Sequence, residues 1–259
     1  MRSDEIRRHT VSSGYQRGPN AIEVLLPDDF DRCRTWPVLY VLPVEPGIGG
    51  FYGNGLEEVR RAGIHSKHGL VCVQMAFDTT PWYCDNPCDP TVRHESYVRN
   101  VAVPLVEKEY PTPGTPDGRL LMGFSKSGWG AFTLILRNPD FFGYAASWDA
   151  PLQFEKCHWD MGRQFGDDMN LRHYCPAGLF RAQARHFHAR PRLVLLGEDA
   201  FGRSPDPKYD HTVWAHETMA SLGIQHFYND DVRVKHVWGS GWVPVAVDAL
   251  VSLRRSCQL

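Results

Sequence analysis

The chain has 259 residues, of which 42% are hydrophobic and 22% are charged. This length and composition suit one large globular domain with a sizeable apolar core. The formal net charge of −2 provides no basic surface for nucleic acid and no attraction to an anionic membrane. No apolar stretch approaches the roughly 18 residues that a membrane helix requires. We therefore expect neither a nucleic-acid partner nor a membrane partner.

The cysteines and the N-terminus bear on the cellular compartment. The segment MRSDEIRRHT is charged and no apolar segment follows it, so we expect no secretory signal. The seven cysteines are odd in number and only Cys84 and Cys88 lie close together, unlike a disulfide framework. That pair could hold a metal or form a local disulfide, but no second pair at zinc spacing accompanies it, which favours two loop thiols. We expect a cytoplasmic protein without a metal or an organic cofactor.

Short apolar segments bounded by Gly, Pro and Asp predict strands in the N-terminal third, and strands and helices alternate after it. The predicted strands are HTVSS, AIEVLLP, PVLYVLP, GLVCVQMAF, GRLLMGF, GYAASWDA, RPRLVLLGED and IQHFYND. The predicted helices are RHESYVRNVAVPLVEKEY with a kink at Pro104, SGWGAFTLILRNP, PAGLFRAQARHF, DHTVWAHETMASLG and WVPVAVDALVSLRR.

This alternation predicts an α/β fold with a mainly parallel sheet covered by helices on both faces. No repeat, low-complexity tract or linker divides the sequence, so we predict a single domain over residues 1–259. The stretch 152–175 follows neither a helical nor a strand period, and we interpret it as an irregular excursion over the sheet edge.

The segment LLMGFSKSGWGAF contains two serines between a predicted strand and a predicted helix. A nucleophile elbow has this strand–turn–helix form, and the residues two positions before and after the nucleophile must be small. Ser125 meets that requirement with Gly123 and Ser127, whereas Ser127 would place Trp129 at a crowded position. Ser125 is therefore the predicted nucleophile, and its alternative interpretation is a helix N-cap.

Lys126 follows the predicted nucleophile, and its side chain should point away, which disfavours a Ser–Lys dyad. Its backbone N–H opens the helix and is a predicted oxyanion donor.

A serine nucleophile needs a base, which is usually a histidine oriented by a carboxylate. His236 lies in VRVKHVWGSGW, in the loop between the last predicted strand and the closing helix, and is the predicted base. The acid is expected after RLVLLG, where Asp199 is favoured over Glu198 because its short side chain lies further into the loop. Asp149, after the preceding strand, is the third candidate, and its alternative interpretation is a buried carboxylate that caps backbone or lines the pocket.

With these positions assigned, the chain resembles the esterase D branch of the α/β-hydrolase superfamily, which includes feruloyl esterases and S-formylglutathione hydrolases. The resemblance implies an α/β-hydrolase domain with antiparallel N-terminal strands, and it implies Ser125, His236 and Asp199 as the triad. It covers most of the chain and rests on PVLYVLPVEPGIGG, PWYCDNPCDPTVRHESYVRNVAVPLVEKEYP, LLMGFSKSGWGAFTLILRNPDFFGYAASWDAP and the terminal His-x-Trp.

One segment departs from that pattern. Many relatives have His-Gly after the strand that supplies the oxyanion hole, where this chain has Pro43-Val44-Glu45-Pro46. Proline has no N–H to donate, so Val44 is the predicted second oxyanion donor, with Glu45 as the alternative.

These features predict a serine esterase that acts on a small-molecule ester through an acyl-enzyme. The alternatives are an acyltransferase with the same triad and a binding module on the same fold. The pocket is expected at the carboxyl edge of the sheet, where ligands of α/β proteins bind. Five aromatic residues on loops at that edge are candidate pocket walls, with ordinary packing as their alternative role: Trp82, Tyr83, Trp148, Trp159 and Trp238.

Overall fold

The computed structural model describes residues 5–197 and 210–256. Within these ranges eight strands form one sheet in the order β1-β2-β4-β3-β5-β6-β7-β8. β1 pairs with β2, and β2 with β4, in antiparallel fashion, and all other neighbouring strands are parallel. The strands are β1 (Arg7–Val11), β2 (Asn20–Leu25), β3 (Val38–Val41), β4 (Val71–Met75), β5 (Arg119–Phe124), β6 (Tyr144–Trp148), β7 (Leu193–Leu196) and β8 (His226–Asn229).

The helices follow the strands along the chain and connect the parallel ones. A π-helical turn, Val98–Ala102, joins α3 to α4 beside Pro104, whose nitrogen has no proton to donate to the preceding turn. The helices are α1 (Gly55–Arg61), α2 (Ile64–His68), α3 (His94–Tyr97), α4 (Val103–Glu109), α5 (Ser125–Arg137), α6 (Met161–Phe165), α7 (Asp168–Arg172), α8 (Pro176–Gln183), α9 (His211–Ser221) and α10 (Trp242–Ser256).

The sheet separates two large apolar clusters because side chains alternate between its faces. In β3, Tyr40 belongs to one cluster and Leu39 to the other. The first cluster includes side chains of α5, α8 and α9, and the second includes side chains of α1 and α10. The sheet is therefore covered on both faces, as its continuously apolar strands predict.

The predicted fold class is confirmed: a mixed sheet with antiparallel N-terminal strands carries helices on both faces. Helices α1 and α2 were not predicted from the sequence. Within 152–175 the structure has the short helices α6 and α7, each five residues long, between irregular segments. The single domain over residues 1–259 stays a prediction. In the described ranges, no helix combines the length and the apolar character needed to cross a membrane.

The thiols Cys84 and Cys88 are both free. Cys84 is buried beside the carbonyl of Gln164, and burial raises the pKa of its thiol, whereas Cys88 is exposed.

The strand order determines where a site can form. Parallel strands end at the same edge of a sheet, so the loops that follow β3, β5, β6 and β7 meet there. The predicted nucleophile follows β5, and the two strands next to β5 in the sheet are β3 and β6.

His94 is a buried polar group in the core beneath this edge. Its Nε2 lies 3.1 Å from Thr79 Oγ1, which donates a hydrogen bond to Gln164 Oε1. Its Nδ1 is buried and has no hydrogen-bond partner among the described residues, and burial lowers the pKa of His94 to about 3. The imidazole is therefore neutral in the folded protein at neutral pH.

This burial predicts acid sensitivity of the fold. Between the unfolded pKa of about 6.5 and the folded value of about 3, only the unfolded chain protonates residue 94. The free energy of unfolding should then fall as the pH falls, by up to about 1.4 kcal/mol per pH unit for this group. Urea denaturation of wild type and His94→Gln between about pH 7.5 and pH 5 measures the slope, which the variant should flatten.

The matched control is His173→Gln, because His173 is exposed. An identical pH dependence for wild type and His94→Gln would contradict this explanation.

Candidate active site

Ser125 lies at the tip of a sharp turn between β5 and α5. It follows the last strand residue directly, is the first residue of the helix, and has a φ of 53°, in the left-handed region. The turn brings Gly123 against the helix, so that a Cβ at position 123 would lie 2.3 Å from the carbonyl oxygen of Ser127. The local geometry is that of a nucleophile elbow.

Ser127 stabilises this turn. Its Oγ accepts the N–H of Phe124 at 3.0 Å and donates to the carbonyl oxygen of the same residue at 2.9 Å. The hydroxyl is thus engaged with backbone within the turn, and the side chain is fully buried.

His236 makes a short hydrogen bond to a carboxylate. Its Nδ1 lies 2.6 Å from Asp149 Oδ2, and because an ionised carboxylate only accepts, Nδ1 is the donor. The Asp149 side chain is fully buried, while 17% of the His236 side chain is exposed. The imidazole is therefore oriented from the protein interior through Nδ1.

Asp149 also contacts the turn that carries Ser125. Its carbonyl oxygen accepts the N–H of Ser125 at 3.0 Å. The backbone at Asp149 has a φ of 47°, and the residue follows β6, which is paired with β5 up to Phe124 and Trp148. The adjacency of these two strands brings the loop after β6 beside the elbow.

The sequence analysis favours Asp199 as the acid, with Glu198 second, whereas the structure gives the hydrogen bond to His236 to Asp149. Asp199 and Glu198 both lie outside the described residues. The preference for Asp199 rested on loop position alone, and it did not include the pairing of β6 with β5.

Aromatic rings surround the His236 imidazole. The ring centroids of Phe124, Tyr52 and Trp148 lie 4.9, 5.4 and 6.2 Å from that of the imidazole. Tyr52 was not predicted as a site residue, since it lies in the long segment between β3 and α1. These rings restrict the orientation of the imidazole.

His211 is a second histidine near the acid. It is buried, and its Nδ1 accepts the N–H of Gln153 at 3.2 Å. Burial lowers its pKa to about 4, against the smaller opposing effects of Asp210 and Asp149. Such a group is a weak base at neutral pH, which favours His236 for proton transfer.

The loop after β3, residues 42–47, is held at several points. The Leu42 N–H donates to the Met122 carbonyl of β5, and the Gly47 N–H donates to the Phe77 carbonyl. The Glu45 carboxylate accepts the N–H groups of Phe51 and Tyr52 at 3.1 and 3.0 Å. Val44, the predicted oxyanion donor, lies between these contacts.

Lys126 is the second residue of α5, and the first-turn N–H groups of a helix have no acceptor within the helix. The Lys126 N–H, next to Ser125, therefore makes no hydrogen bond within the helix. The Lys126 side chain is partly exposed.

Four of the five predicted pocket aromatics are almost fully buried, and their role as pocket walls stays a prediction. Trp148 stacks on Trp242 with ring centroids 5.2 Å apart, and Trp82 packs edge-on against Trp129. The side chains that expose at most 2% of their surface are Trp82, Tyr83, Trp148 and Trp238.

Trp159 is the exception among these five aromatics. It is 66% exposed and stacks on Trp82, with ring centroids 6.2 Å apart. Only this side chain of the five presents a large aromatic surface to solvent.

The parallel sheet, the elbow after β5 and the histidine after the last strand are features of the α/β-hydrolase fold. Residues 79–193 match the family model described as "Putative esterase". The resemblance to the esterase D branch, predicted from the sequence, is confirmed by this match and by the similarities to solved structures.

Three relatives illustrate these similarities. Esterase Rv1288 of Mycobacterium tuberculosis is 28% identical over 169 residues, which cover 59% of this chain and 34% of that protein. The S-formylglutathione hydrolase from Agrobacterium tumefaciens has a TM-score of 0.75 at 17% identity, over 95% of this chain and 94% of that one. A ferulic acid esterase has a TM-score of 0.69 at 18% identity, over 97% of both chains.

The sequence identities and the shares of each chain covered determine which properties of these proteins apply to this chain. At 17–18% identity the structural similarity establishes the fold. The matched region spans about a third of the length of the curated relative from Mycobacterium tuberculosis.

The elbow generates a stability prediction. Gly123→Ala places a methyl group 2.3 Å from the Ser127 carbonyl oxygen, a backbone atom that cannot rotate away. We expect the free energy of unfolding to fall by about 1–3 kcal/mol, as for other overpacked sites. Urea denaturation measures this free energy of unfolding. The control is Gly14→Ala, because a Cβ at position 14 meets no described atom within 4 Å. Equal stability of the two variants would contradict the tight turn.

Proposed function

We propose that the protein is a serine carboxylic ester hydrolase with Ser125 as nucleophile, His236 as base and Asp149 as the acid. The observation that carries the proposal is the double contact of Asp149. Its carboxylate bonds the imidazole of His236 and its carbonyl bonds the N–H of Ser125. The putative-esterase match over residues 79–193 supports the same reaction class.

The reaction proceeds through an acyl-enzyme. Ser125 Oγ attacks the ester carbonyl carbon, and its proton passes to His236 Nε2. Asp149 stabilises the imidazolium through the Nδ1–H hydrogen bond. The N–H groups of Lys126 and Val44 bind the developing oxyanion, a contribution worth on the order of 10²–10³ in kcat for each donor.

Proton return completes the cycle. His236 protonates the leaving alcohol, which departs as the tetrahedral intermediate collapses to the acyl-enzyme. His236 then takes a proton from water as the water oxygen attacks the acyl carbonyl. It returns that proton to Ser125 Oγ as the second tetrahedral intermediate collapses, which releases the carboxylic acid and regenerates the free serine. The proposed substrate is a small-molecule ester, and these steps require only the residues named.

The two alternatives differ in observable ways. An acyltransferase would form the same acyl-enzyme and pass it to an alcohol, so product analysis with an added alcohol separates it from a hydrolase. A binding module has no use for a nucleophile held at a strained φ, and such strain is retained mainly at functional sites.

Covalent labelling tests the proposal without knowledge of the substrate. A fluorophosphonate probe reacts with an activated serine, so peptide mass spectrometry should map the label to Ser125. Ser125→Ala should abolish labelling because the nucleophile is gone, and His236→Ala should nearly abolish it because the base is gone.

The denatured chain is the control for non-specific reaction and should carry no label. An unlabelled folded protein, or a label at another serine, would reject the proposed nucleophile.

The identity of the acid has its own test. Asp149→Asn should lower kcat on the order of 10³–10⁴-fold, because an amide no longer selects the tautomer with a proton on Nδ1. Steady-state kinetics with an activated ester such as p-nitrophenyl acetate measures the loss.

Asp199→Asn and Glu198→Gln are the competing variants in that test. A larger loss in either of them than in Asp149→Asn would transfer the role of the acid to the loop after β7.

A further inference from the structure

Tyr83 lies between the nucleophile helix and the loop after β3. Its side chain is fully buried, and its hydroxyl donates to the carbonyl oxygen of Pro43 at 2.6 Å. Its ring packs on α5, where a Cβ at Gly130 would lie 2.0 Å from Tyr83 Cδ2. The backbone of Tyr83 has a φ of 56°. The residue therefore contacts both elements from which the oxyanion donors come.

The acceptor of this hydrogen bond has a direct relation to Val44. The carbonyl of Pro43 and the N–H of Val44 belong to one peptide group, which is planar and trans. In such a group the N–H points opposite to the C=O. A donor fixed on the Pro43 oxygen thus fixes the direction of the Val44 N–H.

The contacts on either side of the 43–44 peptide group do not restrain its rotation, whereas the hydrogen bond from Tyr83 does. Leu42 is tied to β5 through its N–H, and Glu45 is tied to the turn at 51–52 through its carboxylate. Neither contact is made by an atom of the 43–44 peptide group. The Val44 N–H has no hydrogen-bond partner within the described ranges.

We propose that Tyr83 is a positioning residue that aims the Val44 N–H into the oxyanion hole through the Pro43 carbonyl. The inference rests on the proposed esterase function. It also gives a reason for the glycine at position 130, since only a residue without a side chain lets the phenol ring pack on α5 at this depth.

Two physical effects act together in this arrangement. The hydrogen bond restrains the peptide plane, and it polarises the amide so that its N–H becomes a stronger donor. Burial raises the pKa of the Tyr83 phenol well above its usual value, so the hydroxyl keeps its proton at the pH of any hydrolysis assay. The Tyr83 hydroxyl therefore remains a hydrogen-bond donor to the Pro43 carbonyl.

The test is the Tyr83→Phe variant, which keeps the ring and removes the hydroxyl. The control is Tyr97→Phe, because Tyr97 contacts the same Phe77 ring (centroids 5.5 Å apart, against 5.4 Å for Tyr83). Its buried hydroxyl has no hydrogen-bond partner in the part of the chain that the structure describes. Both variants lose one buried oxygen beside the same aromatic group, but only one loses a contact to the 43–44 peptide.

The kinetic readout is the division of the effect between kcat and KM for p-nitrophenyl acetate. Complete removal of an oxyanion donor costs on the order of 10²–10³, and misalignment of one should cost about 10-fold in kcat. KM should stay unchanged in Tyr83→Phe, because the hole binds the oxyanion of the transition state rather than the ground-state carbonyl. Tyr97→Phe should match wild type.

A second readout separates positioning from general loosening of the fold. An aryl trifluoromethyl ketone adds to the active serine and places an oxyanion in the hole. Its inhibition constant should rise by the same factor by which kcat/KM falls in Tyr83→Phe, while thermal melting shows similar midpoints for the two variants.

The outcomes distinguish the inference from the function on which it rests. Equal kinetics for Tyr83→Phe and Tyr97→Phe in an active wild type would overturn the role of Tyr83 and leave the esterase intact. So would a loss confined to KM and the melting midpoint, with unchanged ketone affinity. A wild type that neither hydrolyses the ester nor carries the fluorophosphonate label would overturn both proposals.

Discussion

The contacts of Asp149 link the two halves of the candidate site. Its carboxylate orients the imidazole of His236, and its carbonyl accepts the N–H of Ser125. A displacement of this residue would therefore move Ser125 and His236 together. This arrangement exists because β6 lies beside β5 in the sheet, so that Asp149 follows the end of one strand and Ser125 follows the end of the other.

Left-handed backbone conformations concentrate around this centre. In the described ranges the residues other than glycine with positive φ are Tyr83, Ser125, Asp149 and Trp159. Each such residue costs on the order of 1–3 kcal/mol, so the surrounding structure must determine its conformation. At Ser125 and Asp149 the hydrogen bond between them does so, and at Tyr83 the ring is enclosed by α5 and Phe77.

Features that depend on local pattern are predictable from the sequence, whereas features that depend on strand order are not. Ser125 was predictable because small neighbours are a steric requirement of the turn, and His236 because of its loop before the last helix. The contact between Asp149 and His236 depends on which strands are neighbours, which no local pattern encodes. The burial of Trp148 was not predictable for a related reason, since this residue ends β6 and stacks on Trp242 of α10. Tyr83, a predicted pocket residue, contacts the Pro43 carbonyl, α5 and the Phe77 ring.

The exposure of Trp159 has an optical consequence. All eight tryptophans lie in the described ranges, and Trp159 is the exposed one among them. A water-soluble collisional quencher would therefore act first on this indole, and the emission that it removes would come from the 152–175 excursion. The chain thus contains an intrinsic fluorophore that reports on this excursion without a label, against six buried tryptophans and the partly buried Trp214.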